Sequence, residues 1–139
     1  DSFDSDESVS EIDEVNMDEN TIIGCCKSGY QKNKFKKLKK GDLNIQDELD
    51  LHGCSAYEAE VMIGVRIPQW QLNNQLVILI QHGKGKGILK KLVDDFLQND
   101  PNVLAYHSAQ PKDGGTGAVY VHLKNINKSN NSDEYYEEE

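Results

Sequence analysis

The pattern of apolar and polar positions between residues 42 and 124 switches repeatedly between strand and helix periodicity. Over residues 49–52, leucine alternates with a polar residue, which is the period-two pattern of a strand with one buried face. Asp50 and His52 are therefore expected on the same side of that strand. Gly53 follows and is expected to end it.

Two helices and a buried strand are predicted after this first strand. A Ser-x-x-Glu capping box at Ser55 predicts a helix that runs to about residue 72, with an end or a kink at Pro68. Residues 76–80 form a continuous apolar run, which is typical of a strand buried on both faces. Apolar residues then recur at helical spacing over 88–97, which predicts the second helix.

Two further strands are predicted at 103–110 and 118–124, separated by a glycine-containing turn. In the last strand, apolar residues alternate with Tyr120 and His122, so one of its faces is expected to be solvated. The order β-α-β-α-β-β predicts the α/β class. We expect a small two-layer sandwich with a mostly parallel sheet and a C-terminal antiparallel hairpin.

Charge is segregated along the chain. The formal net charge is −9, yet residues 1–20 carry nine acidic side chains and no basic one, and residues 133–139 carry five more. The residues between these ends carry a formal charge of +5, so the overall acidity does not exclude a polyanionic partner. Composition predicts an acidic, largely disordered N-terminal segment (1–31), a lysine-rich lead-in (32–47), a folded domain (48–124) and a disordered acidic tail (125–139).

Each charged segment has two interpretations. The lead-in carries six lysines within residues 32–40, with Phe35 and Leu38 between them. These lysines form either a solvated helix face or a surface that contacts nucleic-acid phosphates. The acidic N-terminal segment is either a solvating tail or an autoinhibitory polyanion mimic that covers a basic site.

Composition also indicates where in the cell the protein is expected and in what state its cysteines are. No segment has the roughly 20 consecutive apolar residues that a membrane-spanning helix needs, and no signal peptide is visible. We therefore expect a cytoplasmic protein with no membrane partner. Cys25, Cys26 and Cys54 match no metal-binding spacing and are predicted to be unpaired thiols. Because the sequence begins with Asp1 rather than methionine, it leaves open whether the chain is part of a larger protein.

The side chains best suited to chemistry follow the ends of the first two strands. Asp50 and His52 end the first strand, and a glycine loop at residues 83–87 follows the second. Open α/β sheets place their ligand sites at this edge. Alternate glycines let the backbone approach an anion, and the start of the next helix favours phosphate. Lys84 and Lys86 add positive charge.

An imidazole beside a phosphate site suits phosphodiester cleavage, because the imidazole group exchanges protons near neutral pH. His52 is the candidate general acid or base. Asp50 would orient it or hold a metal, and the loop would stabilise the phosphate charge. His82 is a second candidate, either as a donor to phosphate or as a cap of the strand. His107 and His122 are predicted to be structural.

Three short motifs resemble the signatures of the Smr (small MutS-related) domain family. They are Leu49-Asp50-Leu51-His52-Gly53, His82-Gly83-Lys84-Gly85 and Gly114-Gly115-x-Gly117-Ala118, in the family's order. The resemblance covers about residues 45–124 and is closer to the stand-alone bacterial members than to the copies fused to mismatch-protein ATPases. The family's fold agrees with the predicted order of elements.

The resemblance implies an endonuclease that cleaves messenger RNA on stalled ribosomes or nicks DNA. Asp50, His52 and His82 are then the catalytic candidates. The candidates for phosphate or nucleic-acid binding are Gly83, Lys84, Gly85, Lys86, Gly114, Gly115 and Gly117. With RNA, the neighbouring 2′-hydroxyl would be the nucleophile and no metal is required, whereas with DNA a water attacks and a divalent ion such as Mg²⁺ at Asp50 is expected. The alternative is a non-catalytic nucleic-acid- or ribosome-binding module.

Overall fold

A computed structural model describes residues 17–128 of the chain. Its elements are β1 (Gly24–Cys26), α1 (Lys32–Lys40), β2 (Asp47–Asp50), α2 (Ala56–Leu72), β3 (Val77–Gln81), α3 (Ile88–Asn99), β4 (Val103–Ser108) and β5 (Ala118–Leu123). Short 3₁₀ turns lie at Pro111–Asp113, Gly115–Gly117 and Ile126–Lys128. The predicted α/β class is confirmed, and so is the predicted order of elements from β2 to β5.

The five strands form one sheet in the order β1-β4-β5-β3-β2. β2 and β3 are parallel, with Asp50 opposite Gln81, and β4 and β5 form the predicted antiparallel hairpin. The expectation of a mostly parallel sheet needs correction, because β1–β4 and β3–β5 are antiparallel as well. β5 lies between β3 and β4 and runs antiparallel to both, and β1 adds a third antiparallel pair at the edge of the sheet beyond β4.

Helices cover both faces of the sheet. α2 and α3 cover one face over a core that includes Leu51, Ile63 and Ile80, each 0% exposed. α1 lies against β4 and β5 on the other face, where Leu38 and Tyr120 belong to a second buried cluster. The two-layer expectation is thus corrected to three layers, and Tyr120 is not on a solvated face. The lysine-rich lead-in covers it because the helix that it forms is amphipathic.

A short strand that the sequence pattern does not reveal precedes α1. β1 pairs with β4, and beside it the Ile23 N–H donates to the Ser108 hydroxyl at 2.9 Å. Ile23 is 4% exposed. Residues 17–31 therefore belong to the fold, which corrects the N-terminal boundary expected from composition. The disorder predicted for residues 1–16 and 129–139 lies outside the described residues.

Helix α2 is fixed to the strand that precedes the candidate site. The Ser55 hydroxyl accepts from the Glu58 N–H at 3.1 Å, and the Glu58 carboxylate accepts from the Ser55 N–H at 2.9 Å, so the predicted capping box is confirmed. Pro68 lies inside the helix, which continues past it. Asp47 on β2 accepts from the Trp70 indole N–H at 2.7 Å, which joins the helix to the strand.

The structure also bears on the predictions about a membrane-spanning helix and about the cysteines. Within residues 17–128, no helix combines the length and the apolar character needed to cross a membrane. The thiols of Cys25, Cys26 and Cys54 are all free. Cys25 and Cys26 lie on β1, and Cys54 lies in the turn before α2.

Candidate functional site

Asp50 and His52 lie together at the carboxyl end of β2. The strand ends at Asp50, and His52 lies in the turn that follows rather than on the strand itself. Asp50 Oδ1 accepts the His52 N–H at 3.0 Å, as in an Asx turn, and faces His52 Nδ1 at 3.3 Å. Both side chains face solvent, with exposed fractions of 62% for Asp50 and 76% for His52.

This turn sets the electrostatics of the pair. The His52 N–H is the main cause that lowers the pKa of the Asp50 carboxyl; burial opposes it, and the His52 ring lowers the pKa further. Asp50 is therefore a carboxylate at neutral pH. A carboxylate beside Nδ1 favours the tautomer with its proton on Nδ1, which leaves Nε2 of His52 as the exposed proton acceptor.

The glycine loop (residues 83–87) lies beside this pair, because β2 and β3 are parallel neighbours. A Cβ built on Gly83 would lie 3.7 Å from the Cβ of His52. Residues 82–90 and His52 line one pocket. Lys84 and Lys86 are exposed in this loop. The predicted convergence of the first two motifs at one edge of the sheet is confirmed.

The third motif reaches the same place through the backbone. The N–H groups of His82 and Gly83 both donate to the Gly117 carbonyl at 2.9 Å. A Cβ built on Gly117 would lie 3.0 Å from Cγ of Lys84, so a larger residue there would push against the loop. Gly117 thus holds the second and third motifs together.

Gly114 and Gly115, the other two glycines of the third motif, do not line the pocket beside His52. Both have positive φ values, +114° and +58°, so they set the path of the turn before β5. They line a second surface pocket, which shares Lys84 with the pocket beside His52. Lys84 therefore links the two surfaces, and the third motif contributes mainly through the shape of its backbone.

His82 is buried, with 3% of its surface exposed. Its Nδ1–H donates to the Gly83 carbonyl at 2.8 Å, and within residues 17–128 its Nε2 has no hydrogen-bond partner. Burial lowers the pKa of His82 to about 4, the Gly83 carbonyl opposes this, and Lys90 adds to it. His82 is thus neutral at neutral pH. Of the two roles left open by the sequence, its geometry matches the cap of the strand.

The other two histidines lie under α1. The His107 ring packs edge-on against Phe35 at a centroid distance of 5.9 Å, and its Nδ1 lies 2.9 Å from the Ser108 carbonyl. His122 Nδ1 lies 2.6 Å from the Tyr30 hydroxyl. The structural role predicted for both residues agrees with these contacts.

Lys90, in the first turn of α3, lines the pocket beside His52, although no pattern in the sequence points to it. It is 2% exposed, and its ammonium donates to the carbonyls of Asp18 (3.1 Å), Glu19 (3.2 Å) and Thr21 (2.6 Å). Burial is the main cause that lowers its pKa, and the two neighbouring acids oppose that effect. Its partners are backbone atoms about 70 positions away, so no sequence signal identifies them.

The N-terminal segment 17–21 is held over one end of the glycine loop. A Cβ on Gly87 would overlap the Met17 carbonyl oxygen, so the segment requires a glycine there. The Thr116 hydroxyl, next to the third motif, donates to the Glu19 carbonyl. The acidic residues that suggested an autoinhibitory tail lie mostly at 1–16, outside the described residues.

The side chains at this edge do not form a preformed metal site. Within residues 17–128, no group of three or more histidine, cysteine, aspartate or glutamate residues is placed to hold a metal. Asp50 directs Oδ1 to His52, and Glu48, two residues earlier on β2, accepts from the Gln81 amide at 2.7 Å. Asp50 is therefore not part of a preformed cluster of three ligands among the described residues, and a Mg²⁺ ion at Asp50 would take its other ligands from water and from the phosphate of a substrate.

The arrangement of the three motifs is matched by a known family. The Smr domain profile matches residues 49–124, which is more than half of the chain. The chain belongs to the Smr domain family. The resemblance found from the three motifs is thereby confirmed.

Solved Smr structures share the fold. YdaL, a stand-alone small MutS-related protein from Escherichia coli, superposes with a TM-score of 0.68 at 29% identity and covers 76% of this chain and 86% of its own. The Smr domain of Thermus thermophilus MutS2 superposes with a TM-score of 0.55 at 28% identity and covers 56% of this chain and 98% of its own. The stand-alone protein matches more of this chain than the MutS2 domain does.

Curated Smr proteins are similar in sequence. The ribosome rescue factor SmrB of Serratia proteamaculans is 34% identical over 93 residues, which are 67% of this chain and 53% of that protein. SmrB of Buchnera aphidicola subsp. Schizaphis graminum is 38% identical over 89 residues, which are 64% of this chain and 51% of that protein. The chain spans about half the length of the curated relatives that it matches.

Proposed function

We propose that this chain is an Smr-type endonuclease that cleaves phosphodiester bonds in nucleic acid. The observation that carries the proposal is the exposed Asp50–His52 pair beside a lysine-bearing glycine loop. The SmrB relatives are named ribosome rescue factors, which supports messenger RNA on stalled ribosomes as the substrate. DNA nicking is the second substrate class.

The glycine loop binds the phosphate in this proposal. Helix α3 starts at Ile88 after Gly87, and no side chain caps its N-terminus. The Met17 carbonyl lies against Gly87 at this helix start, so the loop N–H groups nearer to His52 are the ones that suit an anion. The exposed ammonium groups of Lys84 and Lys86 add attraction. The same groups stabilise the charge that develops on the phosphoryl oxygens. Gly117 and the neutral His82 hold the loop in position.

His52 acts as the general base. With Nδ1–H directed at Asp50, Nε2 accepts the proton of the 2′-hydroxyl of RNA. The 2′-oxygen then bonds to the adjacent phosphorus, the bond to the 5′-oxygen breaks, and that oxygen takes a proton from solvent. The products are a 2′,3′-cyclic phosphate and a 5′-hydroxyl end. DNA lacks this hydroxyl, so a water molecule must attack instead.

A cleavage assay tests the proposal. The full chain and its His52→Ala variant are incubated with end-labelled single-stranded RNA, duplex DNA, supercoiled plasmid and ribosomes stalled on labelled messenger RNA, each with Mg²⁺ and with chelator. We expect His52→Ala to lower cleavage by about 10²- to 10⁴-fold, the usual range for a general acid or base. His107→Ala is the control, since that ring lies under α1.

The products separate the substrate classes. RNA cuts in chelator that depend on His52 and end in a cyclic phosphate indicate the metal-independent reaction, and plasmid nicks that require metal indicate a DNA nickase. A non-catalytic binding module is the second candidate function. The burial of His82 favours it, because that burial removes one of the two motif histidines from proton transfer. Binding without His52-dependent cleavage of any of the four substrates would support the module.

A further inference from the structure

Helix α1 presents a face of exposed lysines, which we define as Lys32, Lys36, Lys37 and Lys40. They point away from Phe35 and Leu38, which pack on the sheet. Lys32, Lys36 and Lys40 are spaced four residues apart, so their ammonium groups form one row along the helix. Among residues 17–128, no carboxylate forms an ion pair with any of the four lysines of this face.

Such a row destabilises an isolated helix, because like charges four residues apart repel each other. Folding requires only that Phe35 and Leu38 face the sheet, and neutral polar residues would satisfy the solvent side equally well. Positive charge in the last turn stabilises a helix, which accounts for Lys37 and Lys40 but not for Lys32 and Lys36. The charge along the whole row therefore needs an explanation other than stability. A polyanionic ligand supplies one, since it would neutralise the whole row at once.

The lysine face lies on the same side of the sheet as the Asp50–His52 pair. Leu49 belongs to the core under α2 and α3, so Asp50, its neighbour on β2, points to the opposite side. Leu79 belongs to the cluster under α1, and Gln81 lies two residues further along β3. Its amide bonds Glu48, which confirms that β2 and β3 direct these polar side chains to the α1 side.

The C-terminal end of α1 is tied to the loop that leads into the third motif. The Gln110 amide donates to the Lys39 carbonyl at 2.7 Å, and the Lys112 ammonium donates to the Gly41 carbonyl at 3.3 Å. A Cβ on Gly114, at the end of this loop, would lie 3.3 Å from Oε1 of Gln81. Since Gln81 is opposite Asp50 in the sheet, a continuous surface leads from α1 across the third motif to the pair.

We propose that the lysine face of α1 binds the backbone of a single-stranded nucleic acid that also passes over Asp50 and His52. This proposal rests on the proposed function for the position of the cleaved phosphate. Only β3 lies between β5, which α1 covers, and β2, which carries Asp50, so these two strands are about 10 Å apart across the sheet. A few nucleotides are enough to reach from the lysine face to the Asp50–His52 pair. Lysines contact phosphates as point charges, so this surface tracks a flexible backbone without reading bases.

A binding titration tests the lysine face. The full chain carrying His52→Ala, so that the probe stays intact, is titrated against a fluorescent oligouridylate of about twelve nucleotides at several salt concentrations. One variant adds Lys36→Gln and Lys40→Gln. The matched control adds Lys91→Gln and Lys124→Gln, which remove the same charge from α3 and from the end of β5. Urea unfolding of each variant confirms that it is folded.

We expect Lys36→Gln and Lys40→Gln together to weaken RNA binding by about ten- to thirtyfold at about 100 mM salt. The slope of the logarithm of the binding constant against the logarithm of the salt concentration should become shallower by roughly 1.4. The control pair should change both by little. If the two double variants weakened binding equally, the effect would be one of net charge alone, and the proposal would be overturned. An unchanged affinity of the variant with Lys36→Gln and Lys40→Gln would overturn it as well. Competition by polyglutamate as strong as that by unlabelled RNA would assign the face to acidic proteins instead.

This test is separate from the cleavage test. If the nuclease proposal fails while the α1 pair still weakens RNA binding selectively, the lysine face stands as a nucleic-acid surface of a binding module. If His52-dependent cleavage is found and the two lysine pairs behave alike, only the lysine-face proposal is overturned.

Discussion

A single carboxylate oxygen of Asp50 faces both the backbone N–H of His52, at 3.0 Å, and the ring Nδ1 of His52, at 3.3 Å. The turn thus orients an imidazole that remains exposed to solvent. Because Asp50 and His52 are two residues apart, this relationship is local, and it requires only that the chain turn directly after β2. The glycine loop and the third motif are then brought to the pair by the sheet.

Replacing Asp50 with asparagine tests the orienting role. Asp50→Asn keeps the shape of the side chain but removes the negative charge that favours the Nδ1–H tautomer. We expect the single-turnover cleavage rate to fall by roughly 10- to 100-fold, less than on removal of His52, because the exposed pair is screened by water. Glu48→Gln is the control on the same strand face, and a loss as large in this variant would show that the effect is not specific to Asp50.

The burial of His82 predicts a pH-dependent loss of stability. The pKa of His82 is about 4 in the folded chain, below its ordinary value of 6.5. Between these values the unfolded chain binds more protons than the folded chain. The stabilisation from a neutral His82 is therefore complete above about pH 6.5 and is lost as the pH falls towards 4. The shift corresponds to roughly 3 kcal/mol.

Urea unfolding of the full chain at about pH 7.5 and about pH 4.5 measures this effect, with His82→Gln as the variant that cannot titrate. We expect the natural chain to lose about 2 to 3 kcal/mol more than the variant does between the two pH values. Carboxyls with lowered pKa values, such as those of Asp47 and Asp50, keep nearly all of their contribution over this pH range in both proteins, because they lose it only below their ordinary pKa of 3.8. An equal loss in the two proteins would mean that His82 is protonated without cost.

Lys90 predicts a second stability effect, at the N-terminal segment. Lys90→Met leaves the carbonyls of Asp18, Glu19 and Thr21 without their ammonium donor, which should lower the free energy of unfolding by about 1 to 3 kcal/mol. Lys91→Met is the matched control. Lys91 pairs with Asp95 at 3.3 Å on an exposed helix surface, so its loss should cost under about 0.5 kcal/mol.

Hydrogen exchange locates the Lys90 effect. The amides of residues 17–21 should exchange faster in Lys90→Met and remain unchanged in Lys91→Met. If both variants exchanged alike in this segment, the three hydrogen bonds would not be what holds it over the glycine loop.

The strands and helices of the folded domain were predictable because their signals are local. The alternation at 49–52, the capping box at Ser55 and the helical spacing over 88–97 each depend on neighbours within a few turns of chain. The meeting of the first two motifs followed from one further rule, that ligand sites gather at the carboxyl ends of parallel strands. The Smr resemblance added the third motif, whose glycines carry no chemistry visible in the sequence.

The features of the fold that the sequence patterns did not predict depend on contacts between residues that are far apart in the chain. β1 is three residues long, and its Ile23 N–H finds the Ser108 hydroxyl 85 positions away. β5 lies between β3 and β4, and periodicity contains no information about that order. Residues 17–31 were predicted to be disordered because their average hydrophobicity is low. Such an average does not show that a single side chain in the segment, such as that of Ile23, is buried.

The sequence by itself determined the α/β class, the order of the elements, and the pairing of Asp50 with His52, since these follow from short-range periodicity and turn chemistry. Tertiary structure alone decided that the sheet is mixed, that α1 covers its second face, that His82 is buried, and that Lys90 holds residues 18–21. The physical reason is that burial and strand pairing depend on the total apolar surface that distant segments remove from water together, and no local pattern contains that sum.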